Sequence, residues 1–303
     1  MQNEMKYHTT VLLHEGVDAL NLRPGGVYVD ATLGAAGHTI EILKRLGEKG
    51  KVYGFDQDDE AMENAPNDPR FELCFGNFRF LKRFLAAKGV EQVDGVIADL
   101  GVSGHHFDEA DRGFSFRFSA ELDMRMNRNQ AVSAVKILNE YEFDQLVGVF
   151  KKYGESTFAR AIAKRIIAAR EEAVLLTTDQ LVALIGKAVP ERKLKAELPK
   201  IFQAIRIEVN QELEALKEFL VQTQELLKPD GRIVVLSYHS LEDRLVKHFL
   251  RAGNFDDQQQ KDVFGNIQRL IDPLGKAIVP SDKEVENNPR ARSAKMRIGV
   301  KRK

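Results

Sequence analysis

The sequence predicts an α/β fold in which a mostly parallel sheet is interrupted by an all-helical segment. Strand and helix patterns alternate between residues 27 and 104, joined by short connections. From about residue 130 to residue 227 only helical spacing occurs, and a strand pattern then returns. Alternation with short connections is typical of a parallel sheet that has helices on both faces.

The alternating region supplies four strands with a helix after each of the first three. The strand patterns are "VYVDAT" (27–32), "KVYGFD" (51–56), "FELCFG" (71–76) and "VDGVIADLG" (93–101). The helix patterns are "HTIEILKRLG" (38–47), "DDEAMENA" (58–65) and "FRFLKRFLAAKG" (78–89). In the first helix the apolar residues recur at Ile40, Leu43 and Leu46, and Gly47 suits its end.

The second half of the chain contains helices first and strands afterwards. In "TTDQLVALIGKAV" Thr178 is expected to cap the first helical turn. A long helix, a Pro-Asp-Gly turn and a fifth strand, Ile233 to Ser237, follow, and the alternating "KMRIGVKRK" is expected to add a last strand. The expected domains are a discontinuous α/β domain of residues 1–109 and 205–303, and a helical insert of residues 110–204.

Composition excludes several classes of protein. The 45 basic and 45 acidic residues balance, so net charge does not indicate a nucleic-acid partner. The single cysteine, Cys74, excludes a disulfide framework and a multi-cysteine zinc site. The N-terminal residues lack a signal-peptide pattern, and no apolar run approaches 18 residues. We therefore expect a cytoplasmic protein with no membrane span.

The turn after the first strand, "VDATLGAAGHT" (29–39), predicts a ligand site. A dinucleotide fold would show G-x-G-x-x-G here, but only Gly34 and Gly37 are present, and a G-x-x-x-x-G-K-[ST] phosphate loop is absent from the chain. Asp30 ends the strand, and a carboxylate there would repel a pyrophosphate. It would suit a ligand that carries a cationic amino-acid group.

Acids also end the second and fourth strands. Asp56 comes 26 residues after Asp30, where an acid can accept hydrogen bonds from ribose hydroxyls, and Asp99 ends the fourth strand. Ligands of open α/β sheets bind at this carboxyl edge. The alternative is that the three acids only cap the helices that follow. A nucleoside together with a cation indicates S-adenosylmethionine as the cofactor.

The chain resembles the bacterial ribosomal small-subunit RNA cytosine-N4 methyltransferase (RsmH or MraW) family. The segments that carry this resemblance run in order from residue 7 to residue 298. They are "YHTTVLLHEGVDAL", "VDATLGAAGHT", "GFDQDDEA", "IADLGVSGHHFDEADRGFSFR", "LDMRM", "YGE", "FQAIRIEVNQEL", "LSYHSLEDR" and "NPRARSAKMR". The resemblance implies a Rossmann-like class I sheet that uses S-adenosylmethionine to methylate the exocyclic amine of one cytidine in the decoding region of 16S rRNA in the small subunit. A weak homodimer stays open.

The resemblance also assigns contacts to the methyl donor. The family's Gly-Gly-His falls on Ala36, Gly37 and His38, so alanine replaces the first glycine. Further contacts are implied at Asp56, Phe78 and Asp99, and at His106, where the family usually has glutamine. Asp30 and Gly34 are additional candidates.

Other residues are candidates for catalysis and for RNA contact. Asp99 is a candidate acceptor for the proton of the cytosine amine, alongside backbone carbonyls of the following turn. The substrate candidates are Phe114, Phe116, His239, Asp243, Arg290 and Arg292. For the two phenylalanines core packing is an equal alternative, and for "SYHSLEDR" helix capping by Ser240 or Asp243 is another.

Basic segments are candidate contacts for the RNA backbone. Residues 290–303 contain seven Lys or Arg and no acid, and Arg160, Lys164 and Arg165 recur at helical spacing. Such runs also occur as solvated faces without a partner.

Rival interpretations are a nicotinamide dehydrogenase and an RNA-binding factor that retains an inactive methyltransferase fold. "DEAD" (108–111) is a chance tetrapeptide without a phosphate loop, and a metal at the histidines is not expected, since methyl transfer from a sulfonium needs no Lewis acid.

Overall fold

The computed structural model describes residues 10–101 and 112–303, apart from the side chain of Glu60. The chain divides into two compact units. The first, the α/β unit, is formed by Met1–Gly101 with Leu213–Lys303, and the second, the helical unit, by Val102–Glu212. Sequence patterns place the boundaries at 109/110 and 204/205. These boundaries differ from those of the two compact units. At the second boundary the difference arises because helical spacing does not show where one helix stops and the next begins near residue 211.

The α/β unit contains a seven-stranded sheet of order β3-β2-β1-β4-β5-β7-β6. The strands are β1 Val27–Asp30, β2 Lys51–Asp56, β3 Phe71–Phe75, β4 Val93–Asp99, β5 Leu227–Ser237, β6 Ile271–Pro273 and β7 Lys295–Lys301. β1 to β5 are parallel, whereas β7 pairs antiparallel with β5 and with β6. The predicted α/β class is confirmed, with a last strand that is antiparallel.

Helices precede, separate and follow these strands. In the described residues they are α1 Leu13–Ala19, α2 Gly37–Arg45, α3 Leu81–Ala87, α4 Ala134–Glu140, α5 Phe143–Lys152, α6 Ala159–Glu172, α7 Thr178–Ala188, α8 Glu191–Asn210, α9 Glu212–Leu226, α10 Ser240–Ala252 and α11 Asp282–Asn287. Two short 3-10 helices, Asp59–Asn64 and Phe78–Phe80, lie where the sequence predicts α-helix.

The core of the α/β unit lies on both faces of the sheet. Successive strand residues point to opposite faces, so Tyr28 joins one buried cluster and Val29 the other. The cluster around Val29 includes Phe219 of α9 and Phe249 of α10. The cluster around Tyr28 includes Ile42 of α2. Both faces are thus covered by helices, as parallel strands require.

The helical unit contains α4 to α8 and the segment that precedes them. Asn210, at the end of α8, accepts a hydrogen bond from the backbone N–H of Met126 (2.8 Å) and donates to the carbonyl of Met124 (2.8 Å). Both belong to the quoted "LDMRM" stretch. This buried amide therefore fixes an irregular segment against the last helix of the unit.

Two local predictions in the second half of the chain are wrong. Thr177, not Thr178, caps α7, because its side chain accepts a hydrogen bond from the N–H of Gln180. Thr178 is buried, donates to the carbonyl of Phe118 (2.6 Å) and accepts from the N–H of Ala120 (3.1 Å). The Pro-Asp-Gly turn does not precede the fifth strand but lies within β5, which begins at Leu227.

Candidate active site at the carboxyl edge of the sheet

Asp30, the last residue of β1, is a buried carboxylate that holds the following loop. Its Oδ2 accepts a hydrogen bond from the hydroxyl of Thr39 on α2 (2.7 Å), and its Oδ1 accepts from the N–H of Thr32 (3.2 Å). Its relative exposure is 1%. Asp30 therefore acts within the loop, and contact with a ligand stays a prediction.

Asp56, the last residue of β2, ties the same loop to its neighbouring strand. Its Oδ2 accepts a hydrogen bond from the N–H of Gly34 (2.9 Å), and its Oδ1 accepts from the N–H of Asp58 (3.0 Å). The amide of Asn64 donates to the carbonyl of Gly34 (3.0 Å). Asp56 is only partly buried, so its carboxylate is accessible at the edge of the sheet while it also holds this loop.

Asp99 ends β4, next to β1 in the sheet, so it lies at the same edge. Its backbone N–H donates to the hydroxyl of Thr32 (2.6 Å), which fixes the β4 end against the loop after β1. Burial raises the pKa of Tyr238, and the Asp99 carboxylate raises it further through its charge and a side-chain hydrogen bond. Asp99 therefore faces the residue that follows β5.

The three acids interact electrostatically. Burial raises the pKa of Asp30 to about 7, against the hydrogen bonds from its loop, and the charges of Asp99 and Asp56 add to the rise. Burial is also the main cause that raises the pKa of Asp56. This edge of the sheet therefore disfavours further negative charge and would stabilise a cationic ligand. That is the chemistry the sequence predicts for it.

The loop between β1 and α2 is shaped for close approach. Gly34 has a φ of +48°, and Ala36, which precedes α2, has a φ of +60°. A Cβ at Gly37 would lie 1.9 Å from the Thr10 hydroxyl oxygen, so this position accepts only glycine unless Thr10 moves. Ala36 adopts a left-handed conformation that glycine, the residue implied there by the family resemblance, adopts at lower cost.

His38, in the first turn of α2, is buried, and burial lowers its pKa although the Asp99 charge opposes this. Its Nε2 has no hydrogen-bond partner among the described residues. A Cβ added at Gly16 would lie 3.2 Å from that Nε2, so α1 packs directly on the imidazole. His38 is neutral in this setting, and its contact with a donor stays a prediction.

Phe78 follows β3 and is half-buried. Its ring meets that of Phe219 edge to face, with 5.3 Å between centroids, and the side chain of Asn77 caps the short helix that Phe78 begins. The ring is therefore held rigidly beside the edge where β1 to β4 end. This arrangement fits an apolar wall for a nucleoside, as the family resemblance implies.

The segment after β5 differs from the expected capping pattern. His239 is the N-cap of α10, and Glu242 completes a capping box with it, so neither Ser240 nor Asp243 caps this helix. The Asp243 carboxylate pairs instead with the guanidinium of Arg297 on β7 (2.6 Å). Burial opposes ionisation of Asp243, but the hydrogen bonds and charges of Arg297 and Lys295 together outweigh it and hold its pKa below the usual range. Asp243 therefore binds β7 to α10 in this structure.

The two predicted substrate phenylalanines of the helical unit differ in burial. Phe114 is buried, with the Arg112 guanidinium 5.5 Å from its ring centroid, which favours the core-packing alternative. Phe116 is half-buried and meets the ring of Phe202 edge to face at 5.7 Å. His106 and the "DEAD" tetrapeptide lie outside the described residues.

The basic C-terminal run is largely engaged within the α/β unit. Residues with ion pairs or hydrogen bonds there include Lys295, Arg297, Lys301, Arg302 and Lys303. Arg290 and Arg292 are exposed on the short 3-10 helix before β7, and β7 begins opposite the end of β5. Those two arginines therefore lie at the same edge as the acids.

Sequence reasoning missed residues that organise this edge. Thr32 and Thr39 accept or donate the bonds that join Asp30 and Asp99 to the loop, and Tyr238 faces Asp99. The signal was available in part, since both threonines belong to the quoted "VDATLGAAGHT" stretch. A hydroxyl within hydrogen-bonding reach of an acid at a strand end is the pattern that identifies them.

The sequence is similar to those of known proteins over nearly its whole length. The sequence model of the MraW methylase family matches residues 5–302. The protein named ribosomal RNA small subunit methyltransferase H from Flavobacterium johnsoniae is 51% identical, covering 99% of this chain and all of that one. Its namesake from Bacteroides thetaiotaomicron is 50% identical, covering 99% of both chains.

Proposed function

This chain belongs to the MraW methylase family, and we propose that it transfers a methyl group from S-adenosylmethionine to the N4 amine of one cytidine in the decoding region of 16S rRNA. The observation that carries the proposal is the convergence of Asp30, Asp56 and Asp99 at one edge of the sheet, around a loop in which Gly34 has open space beside it. This edge suits an adenosine that bears a cationic amino-acid tail.

The residues present fit that donor. Asp56 is partly exposed at the end of β2, where a carboxylate can accept hydrogen bonds from ribose hydroxyls. Phe78 offers an apolar face, which the ring of Phe219 supports edge to face. When bound, S-adenosylmethionine supplies a methyl carbon activated by a sulfonium.

The chain's own contribution is positioning and proton transfer. The cytosine amine is conjugated with its ring, so an acceptor that bonds its N–H makes the lone pair more available. Asp99 is the candidate acceptor, since it is ionisable, partly exposed and fixed through the hydroxyl of Thr32. Tyr238, which faces Asp99, would hold the carboxylate in one orientation.

The RNA partner, the small-subunit context and the cytoplasmic setting follow from family membership and stay predictions, as does a weak homodimer. Arg290 and Arg292 support RNA binding because they are exposed at the reacting edge. In the helical unit, Arg160, Lys164 and Arg165 are exposed on α6, which supports the predicted RNA contact of that unit. No helix among the described residues is long and apolar enough to cross a membrane.

The test combines ligand binding with mapped methylation. S-adenosylhomocysteine should raise the melting temperature and NADH should not, since only a ligand of the folded state stabilises it. Labelled donor and small-subunit RNA or particles should yield label on one cytidine N4. Label at another base, or stabilisation by NADH alone, would refute the proposal.

Asp99→Asn separates the roles given to Asp99. Loss of turnover with normal donor binding is expected if the carboxylate accepts the proton, because the amide keeps the shape and loses the basicity. Loss of donor binding would assign Asp99 to the donor site. If neither turnover nor donor binding changes, Asp99 has neither role.

A further inference from the structure

A short hairpin between α10 and β6 presents two apolar side chains to solvent. Residues 260–268 form it, with an antiparallel bridge between Lys261 and Ile267 and a backbone hydrogen bond from the N–H of Gln268 to the carbonyl of Gln260 (2.8 Å). Its tip carries Val263 and Phe264, which are 94% and 86% exposed. We call this segment the tip hairpin.

The turn of the tip hairpin is fixed by Asp262. Its Oδ1 accepts hydrogen bonds from the backbone N–H groups of Phe264 (2.9 Å) and Asn266 (2.8 Å), and its Oδ2 accepts from the amide of Asn266 (3.0 Å). Gly265 supplies the left-handed residue, with a φ of +85°. A carboxylate bound this way organises its own turn, so the tip presents Phe264 in a defined direction.

The base of the tip hairpin is anchored to the α/β unit. Arg302 donates to the carbonyl of Ile267 (3.0 Å) and to the carboxylate of Asp272 on β6 (2.8 Å). Arg269 donates to the same carboxylate (2.7 Å) and to the carbonyl of Arg251 at the end of α10 (2.7 Å). Phe264 therefore lies on a hairpin whose base is fixed to the α/β unit by hydrogen bonds.

The chemistry around the tip favours an anionic, base-bearing partner. Glutamines flank the tip in the sequence, at Gln258, Gln259, Gln260 and Gln268. Lys261 is exposed, and among the described residues it forms no ion pair. The Asp262 carboxylate is committed to its own turn by three N–H donors, so the Lys261 ammonium is the charged group that the tip offers to a partner. The Lys261 ammonium can approach a phosphate, and an exposed aromatic face suits stacking on an unpaired base.

We propose that the tip hairpin is an RNA anchor, in which Phe264 stacks on an unpaired base and Lys261 approaches the neighbouring phosphate. The proposal rests on the proposed function, since the RNA is the substrate or the particle that contains it. An apolar pocket of a protein partner is the rival occupant. The flanking glutamines and Lys261 favour RNA, because an apolar pocket would offer them no hydrogen-bond partners.

The anchor is remote from the reacting edge. β5 ends at that edge with Ser237, and α10 then runs back along the sheet for 13 residues, about 20 Å at about 1.5 Å a residue. The tip hairpin follows α10, on the side where the parallel strands begin. It therefore acts on RNA affinity and leaves the methyl-transfer step unchanged.

The test measures RNA binding by Phe264 variants. Phe264→Ala should raise the Kd for free small-subunit RNA by about 5- to 150-fold, which corresponds to the loss of one stacked base at about 1–3 kcal/mol. It should raise KM for RNA without changing kcat. Phe264→Trp should bind as the wild type does, and Phe264→Leu should weaken binding nearly as much as alanine.

The control is Val279→Ala, which removes another exposed apolar side chain (60%) and should leave binding unchanged. Stabilisation by S-adenosylhomocysteine should be equal in all variants, since none touches the donor site. Unchanged RNA binding by Phe264→Ala overturns the proposal. So does binding retained by Phe264→Leu, or a defect seen only with assembled particles, either of which identifies a protein pocket.

Failure of this inference and failure of the proposed function are distinguishable. If the wild type transfers no methyl group to small-subunit RNA, the proposed function is wrong, and the tip hairpin is judged by the binding measurements alone. If the wild type methylates RNA and Phe264→Ala binds it equally well, only the RNA anchor is wrong.

Discussion

Replacement of Asp30 by asparagine should remove a pH dependence from the stability of the α/β unit. Burial raises the pKa of the folded Asp30 carboxyl to about 7, from an ordinary value of 3.8 that applies to the unfolded chain. Between these values the folded state binds a proton that the unfolded state releases. The contribution of Asp30 to stability is therefore full below pH 3.8 and is lost as the pH rises towards about 7.

The size of the effect follows from the same two values. The interval from 3.8 to about 7 corresponds to about 4 kcal/mol as an upper limit, at about 1.4 kcal/mol for each pH unit. Asparagine is nearly isosteric and can keep both local bonds: its oxygen accepts from the N–H of Thr32, and its amide donates to the hydroxyl of Thr39. The Asp30→Asn protein should thus gain stability relative to the wild type as the pH rises.

The assay is denaturant unfolding of both proteins at several pH values from about 5 to about 8. The difference in free energy of unfolding should grow in favour of Asp30→Asn across this range and level off above about pH 7. Other groups, including His38, titrate in both proteins and largely cancel in the difference. A difference that stays constant with pH would refute the assignment of a raised pKa to the buried Asp30 carboxyl.

Two paired substitutions test the loop and the helical unit. Gly37→Ala should lower the free energy of unfolding by more than Gly34→Ala, because the added methyl at residue 37 meets the side chain of residue 10. Gly34→Ala has open space around it and should cost only about 1–2 kcal/mol of backbone strain. Equal loss in both would contradict the steric argument. In the helical unit, Thr177→Ala should cost about 1 kcal/mol as a lost cap, and Thr178→Val should cost about 1–3 kcal/mol, because it leaves two backbone groups without their partner. Denaturant unfolding measures both, and an equal or reversed order would contradict the assignment.

Hydrophobic periodicity predicted the strands β1 to β4 well, because each is a short β-rich run that a turn or a helix follows. Sequence patterns failed where two adjacent residues are identical in type. Thr177 and Thr178 are equal candidates for a cap, and only the packing of residue 178 against residues 118–120 decides between them. Short elements such as α11 carry too few residues for a period to emerge.

The candidate site was predictable to the extent that topology places it. Once strands are parallel, acids at their ends must meet at one edge, so Asp30, Asp56 and Asp99 could be grouped from sequence. The partners of those acids could not, because hydrogen bonds between Asp30 and Thr39, or between Asp243 and Arg297, depend on side-chain positions that spacing does not determine.

The position of β5 between β4 and β7 has a consequence for synthesis on the ribosome. The strand that completes the parallel set is separated from β4 by the entire helical unit, and its other neighbour emerges only with residues 295–301. At about 5–20 residues per second, the nascent chain waits several seconds with one flank of β4 unpaired. A chaperone that shields this flank should raise the yield of native protein, and truncation before residue 295 should leave a chain prone to aggregation.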